Sequence, residues 1–373
     1  MSHYLVDGVD IAALPKVSLH DHLDGSLRSL TLLELAAEVG VATPEDNPDD
    51  LALWFERQSN SGSLVEYLTT FDLTCAVAQT APALERIARE SVLDLAADGV
   101  VYGELRWAPE QHLTRGLSLN QAVEAVAEGI QQGIAEASHL GQSIRIGQIL
   151  TAMRHADRSV DIAHVALAYR DAGVVGFDIA GAEAGFLPAN HRAAFDLLAS
   201  EYFPTTVHAG EADGLPSIRS AILDGRALRL GHGVRIAEDI VVESSDESVS
   251  YVKLGRLAEW VKDRAITLEL CPTSNLQTGA IKQWGSRLED HPFDLLYQLD
   301  FCVTVNSDNR LQSGTTLSRE LSLLVDAFGY TLTDIEQFQQ NACASAFLPA
   351  EDRDELADLI ATGFEDAVRS SRR

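Results

Sequence analysis

The sequence predicts an α/β fold, a (β/α)8 TIM barrel carrying a helical insertion after its first strand. Three observations lead to it. Eight short β-rich runs alternate with stretches of helical periodicity, the pattern of a parallel sheet with crossover helices. The length of 373 residues exceeds the ~250 typical of such a barrel, which leaves room for insertions. The composition, 46% hydrophobic and 23% charged, lies close to the ordinary globular range, so the chain can bury a sizeable core.

The runs, in order, are residues 16 to 23 (KVSLHDHL), 100 to 107 (VVYGELRW), 143 to 150 (SIRIGQIL), 174 to 179 (VVGFDI), 205 to 209 (TTVHA), 227 to 231 (ALRLG), 266 to 270 (ITLEL) and 301 to 305 (FCVTV). Each is short and rich in β-branched or aromatic residues. Most intervening gaps hold one helix with its loops. The first gap is longer: it contains a turn-rich stretch, Pro44 to Asp50, and an amphipathic segment, Leu64 to Val77. Leu64, Tyr67, Leu68 and Phe71 recur there at i, i+3, i+4 and i+7, which predicts a helical layer over the barrel mouth. The acidic stretch from Glu238 to Ser250, with Glu243, Asp246 and Glu247, reads as a solvated loop. After Thr331 the tail reads as helices that close the barrel's last side. With no long Pro/Gly/Ser linker, residues 1–373 are expected to form a single domain, with the insertion at about 25–99 and the C-terminal helices at about 331–373.

Charge narrows the partners. Twenty-eight basic against 56 acidic side chains give a formal net charge of −28. Such a field opposes docking on nucleic acid or anionic membrane and disfavours polyphosphorylated substrates, so a neutral or cationic small molecule is expected. The start shows no basic region followed by an apolar run, and nowhere do ~20 apolar residues occur without charge, so a cytoplasmic protein is expected. The four cysteines, Cys75, Cys271, Cys302 and Cys343, form no CxxC pair and read as reduced thiols.

Strand alternation places His20 and His22 on one face of the first run, about 7 Å of strand apart, close enough for both rings to meet one ion. His208 and Glu211 follow the fifth run (HAGE), His232 the sixth (LGHG) and Asp308 the eighth (VNSDN). Barrel active sites are assembled at these C-terminal strand ends. Imidazoles His20, His22 and His208 with the Asp308 carboxylate make a mixed N/O set suited to Zn²⁺ with one position open for water, whose pKa the ion lowers to about 7. His232 would orient the resulting hydroxide or accept its proton, and Glu211 would present a protonated carboxyl. The remaining histidines, at positions 3, 112, 139, 155, 164, 191 and 291, are expected to be structural or exposed, with His112 and His155 the exceptions closest to strand ends.

Seven segments together resemble the adenosine deaminase family: PKVSLHDHLDGSL (15 to 27), VVGFDIAG (174 to 181), VHAGE (207 to 211), RLGHGVR (229 to 235), LELCPTSNLQTGA (268 to 280), VTVNSDN (303 to 309) and NACASAFLP (341 to 349). They run in the family's order over nearly the whole chain. The resemblance implies one zinc ion held by His20, His22, His208 and Asp308, with Glu211 protonating purine N1 and His232 positioning the hydroxide. It further implies that His22 touches the substrate, that Asp24 contacts a ribose hydroxyl, and that the Gly181 N–H donates to purine N3. Leu64, Tyr67 and Phe71 would wall the nucleoside, a place that ordinary core packing would explain as well.

The implied reaction is hydroxide attack at purine C6 and loss of ammonia, which turns adenosine or 2′-deoxyadenosine into inosine or its deoxy form. One departure stands out: the family's paired aspartates read Asp308-Asn309 here. A carboxyl can donate to purine N7 only while protonated, whereas an asparagine amide donates without that condition. The HxE…PCxxC signature of the other zinc deaminases is missing. Alternative readings are an aminohydrolase acting on adenine or on a 5′-substituted adenosine, another metal-dependent hydrolase, and a catalytically silent nucleoside binder. The fourth run, VVGFDI, has no lysine for the carboxylated-lysine variety of hydrolase, and a silent binder would be expected to have lost ligands or Glu211.

Overall fold

The computed structural model describes residues 4–245 and 250–371. His3, Asp246 and Glu247 lie outside them. Eight parallel strands stand close to the expected places: β1 (Lys16–His22), β2 (Val100–Trp107), β3 (Arg145–Met153), β4 (Val174–Ala180), β5 (Thr206–Ala209), β6 (Arg229–His232), β7 (Thr267–Leu270) and β8 (Val303–Val305). They pair as two four-stranded sheets, β1-β2-β3-β4 and β5-β6-β7-β8. Single parallel bridges, Phe177 with Thr205 and Asp21 with Asp308, join the sheets at both seams, so the strands follow one another in a ring. This is the barrel topology the alternating runs predict.

Shifts at the strand ends are small and have a common cause. Phe301, Ile266 and Thr205 are buried β-formers, and with the buried Ala227 they enter the core one or two residues before ladder pairing begins. Strand β3 runs on to Met153 because Thr151, Ala152 and Met153 still pair with Asp178, Ile179 and Ala180 of β4.

Five helices fill the first gap: α1 (Ser29–Val39), α2 (Pro48–Ser59), α3 (Leu64–Leu68), α4 (Phe71–Val77) and α5 (Ala81–Ala97). Local chemistry starts and stops them. Asn47 caps α2 by accepting from the Asp49 amide at 2.9 Å, and Thr80 caps α5 through Ala83 N. Gly40 ends α1 in the left-handed region, where a side chain is costly. The amphipathic stretch 64–77 breaks at Thr69–Thr70, whose hydroxyls turn back onto the carbonyls of Glu66 and Tyr67. Of the predicted face, Leu64 and Tyr67 are buried and Leu68 and Phe71 half-buried.

The C-terminal helices span Leu317–Phe328, Leu332–Ser345 and Ala350–Ser371. Gln339 anchors the second of these to the barrel by accepting from Val17 N at 2.8 Å.

One expectation needs correction. Ile240–Ser245 is a strand, not loop, and it pairs antiparallel with Ser250–Leu254 in register Ile240 with Leu254 and Val241 with Lys253. Ile240, Val241, Val242, Tyr251 and Val252 supply β-formers that the acidic residues mask in a compositional reading. The exposure expected of this stretch holds over Val241 to Ser244.

Candidate active site

The barrel interior carries charge below its mouth. Arg106 of β2, Asp178 of β4, Arg229 of β6 and Glu269 of β7 are all buried and paired. Arg106 reaches Asp178 at 3.1 Å and Glu269 at 2.7 Å; Arg229 reaches Glu269 at 2.6 Å. Buried charges persist only when paired in this way. Here the pairs present two fixed carboxylates upward, towards the strand ends.

On those carboxylates sit imidazoles. His20 Nδ1 lies 3.1 Å from Glu269 Oε2, and His208 Nδ1 lies 2.8 Å from Asp178 Oδ2. His22 Nδ1 faces Asp24 Oδ1 at 3.6 Å. A neutral ring whose Nδ1–H faces a carboxylate turns its Nε2 lone pair the other way. Burial pushes His208 down to about 4, so its ring is neutral at physiological pH.

The three Nε2 atoms and Asp308 then meet. His22 Nε2 and His208 Nε2 are 3.2 Å apart, while Asp308 Oδ1 lies 3.3 Å from His20 Nε2 and 3.4 Å from His22 Nε2. His20 Nε2 is buried without any hydrogen-bond partner. Four lone-pair donors crowded together in a buried space fit a cation. Asp308 Oδ2 is steadied by the Ser274 hydroxyl at 2.6 Å.

Backbone geometry brings them this close. Extended strand alone would separate the first two histidines by about 7 Å, but β1 shifts register against β2 between Ser18 and Asp21. Asn306 Oδ1 accepts from both Leu19 N and His20 N across that irregularity, at 3.1 Å each. The two rings end with centroids 5.3 Å apart. His232 and Asp308 both adopt left-handed backbone, φ 63° and 60°, at a cost of about 1–3 kcal/mol each. Such strain clusters where geometry serves chemistry.

His232 completes the group. His20, His208, His232 and Asp308 place ligand atoms within 4.8 Å of one another. His232 Nε2 also lies 3.4 Å from Glu211 Oε2.

Glu211 accepts from the Thr278 hydroxyl at 2.8 Å. Burial first, then the charges of Asp308 and Glu183, pushes its carboxyl well above the ordinary carboxylate range, the direction that suits a proton donor. A bound divalent cation would work in the opposite direction, cancelling the share of Asp308 and lowering the carboxyl in its own right.

Glu183 also shapes the loop that holds Glu211. Its carboxylate accepts four consecutive backbone N–H groups, from Gly210, Glu211, Ala212 and Asp213, at 2.6 to 3.0 Å.

The other predicted residues surround this centre. An inner space of about 40 Å³ is bounded by His22, Leu64, Tyr67, Phe71, Gly181 and Asn309, and it has room for water but not for a purine. It shares His22, Phe71 and Gly181 with an outer cavity of about 460 Å³. Asp24, Asp72, Gln111 and His155 line that cavity, and none of its lining residues is a lysine or arginine. Asp24 Oδ1 has no hydrogen-bond partner. His112, expected as a possible exception, is buried and bonds the Ala78 carbonyl at 2.8 Å. Asn309 Oδ1 packs against Gly25, where an added Cβ would sit 2.0 Å away; this close approach requires glycine. The Tyr67 hydroxyl lies 3.2 Å from Ser313 Oγ.

Sequence reasoning assigned no role to Asp178, Glu183, Glu269, Ser274 or Thr278. A charged residue inside an apolar parallel strand, as in GFDI and LEL, is a signal for the first and third of the carboxylates. Glu183, Ser274 and Thr278 act through loops and short turns that leave no periodic trace.

Comparison with known proteins agrees with this architecture. Residues 15–363 match the family model described as adenosine deaminase. The chain is 54% identical over 356 residues to adenosine deaminase 1 of Streptomyces coelicolor, covering 95% of this chain and 88% of that protein. In three dimensions it is similar to the Arabidopsis protein ADAL complexed with IMP, with TM-score 0.79, 27% identity and coverage of 96% and 99%. It also shares its fold with an amidohydrolase from Burkholderia ambifaria with bound Zn, at TM-score 0.82, 22% identity and coverage of 97% and 93%. With a match over nearly the whole chain and more than half of its residues shared with a curated relative, the protein belongs to the adenosine deaminase family.

Proposed function

We propose that the protein is a zinc-dependent adenosine deaminase that hydrolyses adenosine, and 2′-deoxyadenosine, to the inosine form and ammonia. The observation that carries this reading is the meeting of three Nε2 lone pairs and a carboxylate beside the buried Glu211 carboxyl. His20, His22, His208 and Asp308 would hold the zinc, whose N/O preference they match. When bound, the ion supplies Lewis acidity that lowers the pKa of water from 15.7 to about 7.

This chain's residues do the rest. Glu211 delivers its proton to purine N1, which draws electron density from C6 and readies it for addition of water. His232, between Glu211 and Asp308, aligns the attacking oxygen. The Gly181 N–H donates to N3 and the Asn309 amide to N7, so the ring is held by edges rather than by charge. Asp24, which lines the outer cavity, accepts a ribose hydroxyl. Leu64, Tyr67 and Phe71 cover the base and exclude bulk water, and they shift outward to admit it because the inner space is only about 40 Å³. A 5′-phosphate in that cavity would meet Asp24 and Asp72 with no lysine or arginine in the lining to receive it, so a nucleoside is favoured over a nucleotide.

The test is purified protein with about one equivalent of zinc, offered adenosine, 2′-deoxyadenosine, adenine, AMP and 5′-substituted adenosines. Conversion of the first two, followed by the fall in ultraviolet absorbance, is expected. Metal-replete protein that leaves adenosine untouched would eliminate the reading.

A further inference from the structure

Five side chains, not four, bring a donor atom to this centre, and His22 and His232 compete for the last place. The competition is decided by which ring nitrogen of His232 carries hydrogen. We propose that Asn275 and His291 are positioning residues that lock His232 as an Nε2–H donor, which keeps it out of the metal's coordination sphere and aims its hydrogen into the site. This rests on the deaminase reading above.

The row of bonds begins at a group that can only donate. Phe293 N–H points at His291 Nδ1 at 3.0 Å, so that nitrogen accepts. Burial alone pushes His291 down to about 3, leaving the ring neutral with a single hydrogen. That hydrogen must therefore be on Nε2, which lies 3.2 Å from Asn275 Oδ1. An amide with its oxygen so engaged turns its NH₂ the other way, and Nδ2 lies 3.0 Å from His232 Nδ1. His232 Nδ1 thus accepts, and the neutral ring keeps its hydrogen on Nε2, which faces Glu211 Oε2 at 3.4 Å and Asp308 Oδ2 at 3.9 Å.

Every link has one direction, because reversing any of them sets two donors or two acceptors face to face. Asn275, His291 and His232 are all buried, so water cannot substitute for a lost partner. A nitrogen that holds a hydrogen has no lone pair for an ion. The fourth ligand is then His22, and neutral His232 donates to the attacking oxygen instead of taking its proton.

The experiment uses the whole chain loaded with zinc, and separately with cobalt as a coloured stand-in. Long-range nitrogen–proton NMR on histidine-labelled protein should show His232 protonated at Nε2 and bare at Nδ1. Asn275→Asp offers an acceptor at both ends, so hydrogen should move to Nδ1. The freed Nε2 should alter the cobalt visible spectrum, and kcat should fall about 10- to 100-fold with KM changed less than about threefold. His291→Gln, which retains an amide N–H near the Nε2 position, should hold the wild-type NMR pattern and rescue turnover relative to His291→Phe. Wild-type His232 with hydrogen on Nδ1, or Asn275→Asp with unchanged cobalt spectrum and kcat, would overturn the inference. Failure of the deaminase reading is separately visible: adenosine would remain unconverted whatever tautomer the NMR reports.

Discussion

Replacing Glu211 by glutamine removes the proposed proton delivery and leaves the converging ligand donors in place. The side chain keeps its shape, and its carbonyl oxygen can still accept from Thr278, which now lies at 2.8 Å from the carboxylate. Glu211 is not among the four converging donors, so zinc content should stay near one equivalent. What disappears is the proton for purine N1. Positioned general acids contribute about 10²–10⁴-fold, which at ~1.36 kcal/mol per decade corresponds to about 2.7–5.4 kcal/mol of barrier. Steady-state kinetics on adenosine should therefore show kcat lowered by that factor, with a much smaller change in KM.

Folding should respond in the opposite sense. The folded Glu211 carboxyl holds its proton more tightly than the unfolded one, near pH 4.3. Its contribution to stability is complete below that pH and is lost as pH rises towards the folded value. An amide does not ionise, so E211Q should match or exceed the wild type in metal-free melting temperature, with the gap widening as pH rises above about 5. Zinc-loaded E211Q with turnover within threefold of wild type would refute the assignment of Glu211 as the acid.

Three further outcomes are expected. His20→Ala and Asp308→Ala should each lose zinc on dialysis, measured by elemental analysis; full occupancy in either would remove that residue from the ligand set. Asn309→Asp makes donation to N7 conditional on protonation, so kcat/KM should fall with rising pH where the wild type stays level, and identical profiles would reject Asn309 as the donor. Glu183→Gln turns an NH₂ towards backbone N–H groups now satisfied by a carboxylate, so denaturant unfolding should show a loss of about 1–3 kcal/mol together with reduced kcat; an unchanged midpoint would mean the Glu211 loop does not depend on it.

Much of the fold was legible because its signals are local. Each barrel strand is a short β-rich run between helical stretches, and the site residues His20, His22, His208, His232 and Asp308 stand at ends of those runs. Information that depends on distant partners was not. The convergence of His20 and His22 needs Asn306, nearly three hundred residues away, to bond both amides at the β1 irregularity. The left-handed backbone of His232 and Asp308 is imposed by tertiary packing on residue types with no preference strong enough to announce it. Asp178 and Glu269 were visible as charges in apolar strands, yet their pairing with Arg106 and with the imidazoles is a property of the closed ring. Composition misled at 238–250, where acidic residues outweighed the β-formers of the paired strands.

The most direct test is a crystal structure of the purified, zinc-loaded protein with anomalous data at the zinc edge. It should place one ion about 2.0–2.2 Å from Nε2 of His20, His22 and His208 and from a carboxylate oxygen of Asp308, with a coordination position open towards Glu211. An ion bound elsewhere, or those four side chains turned away from it, would contradict the account.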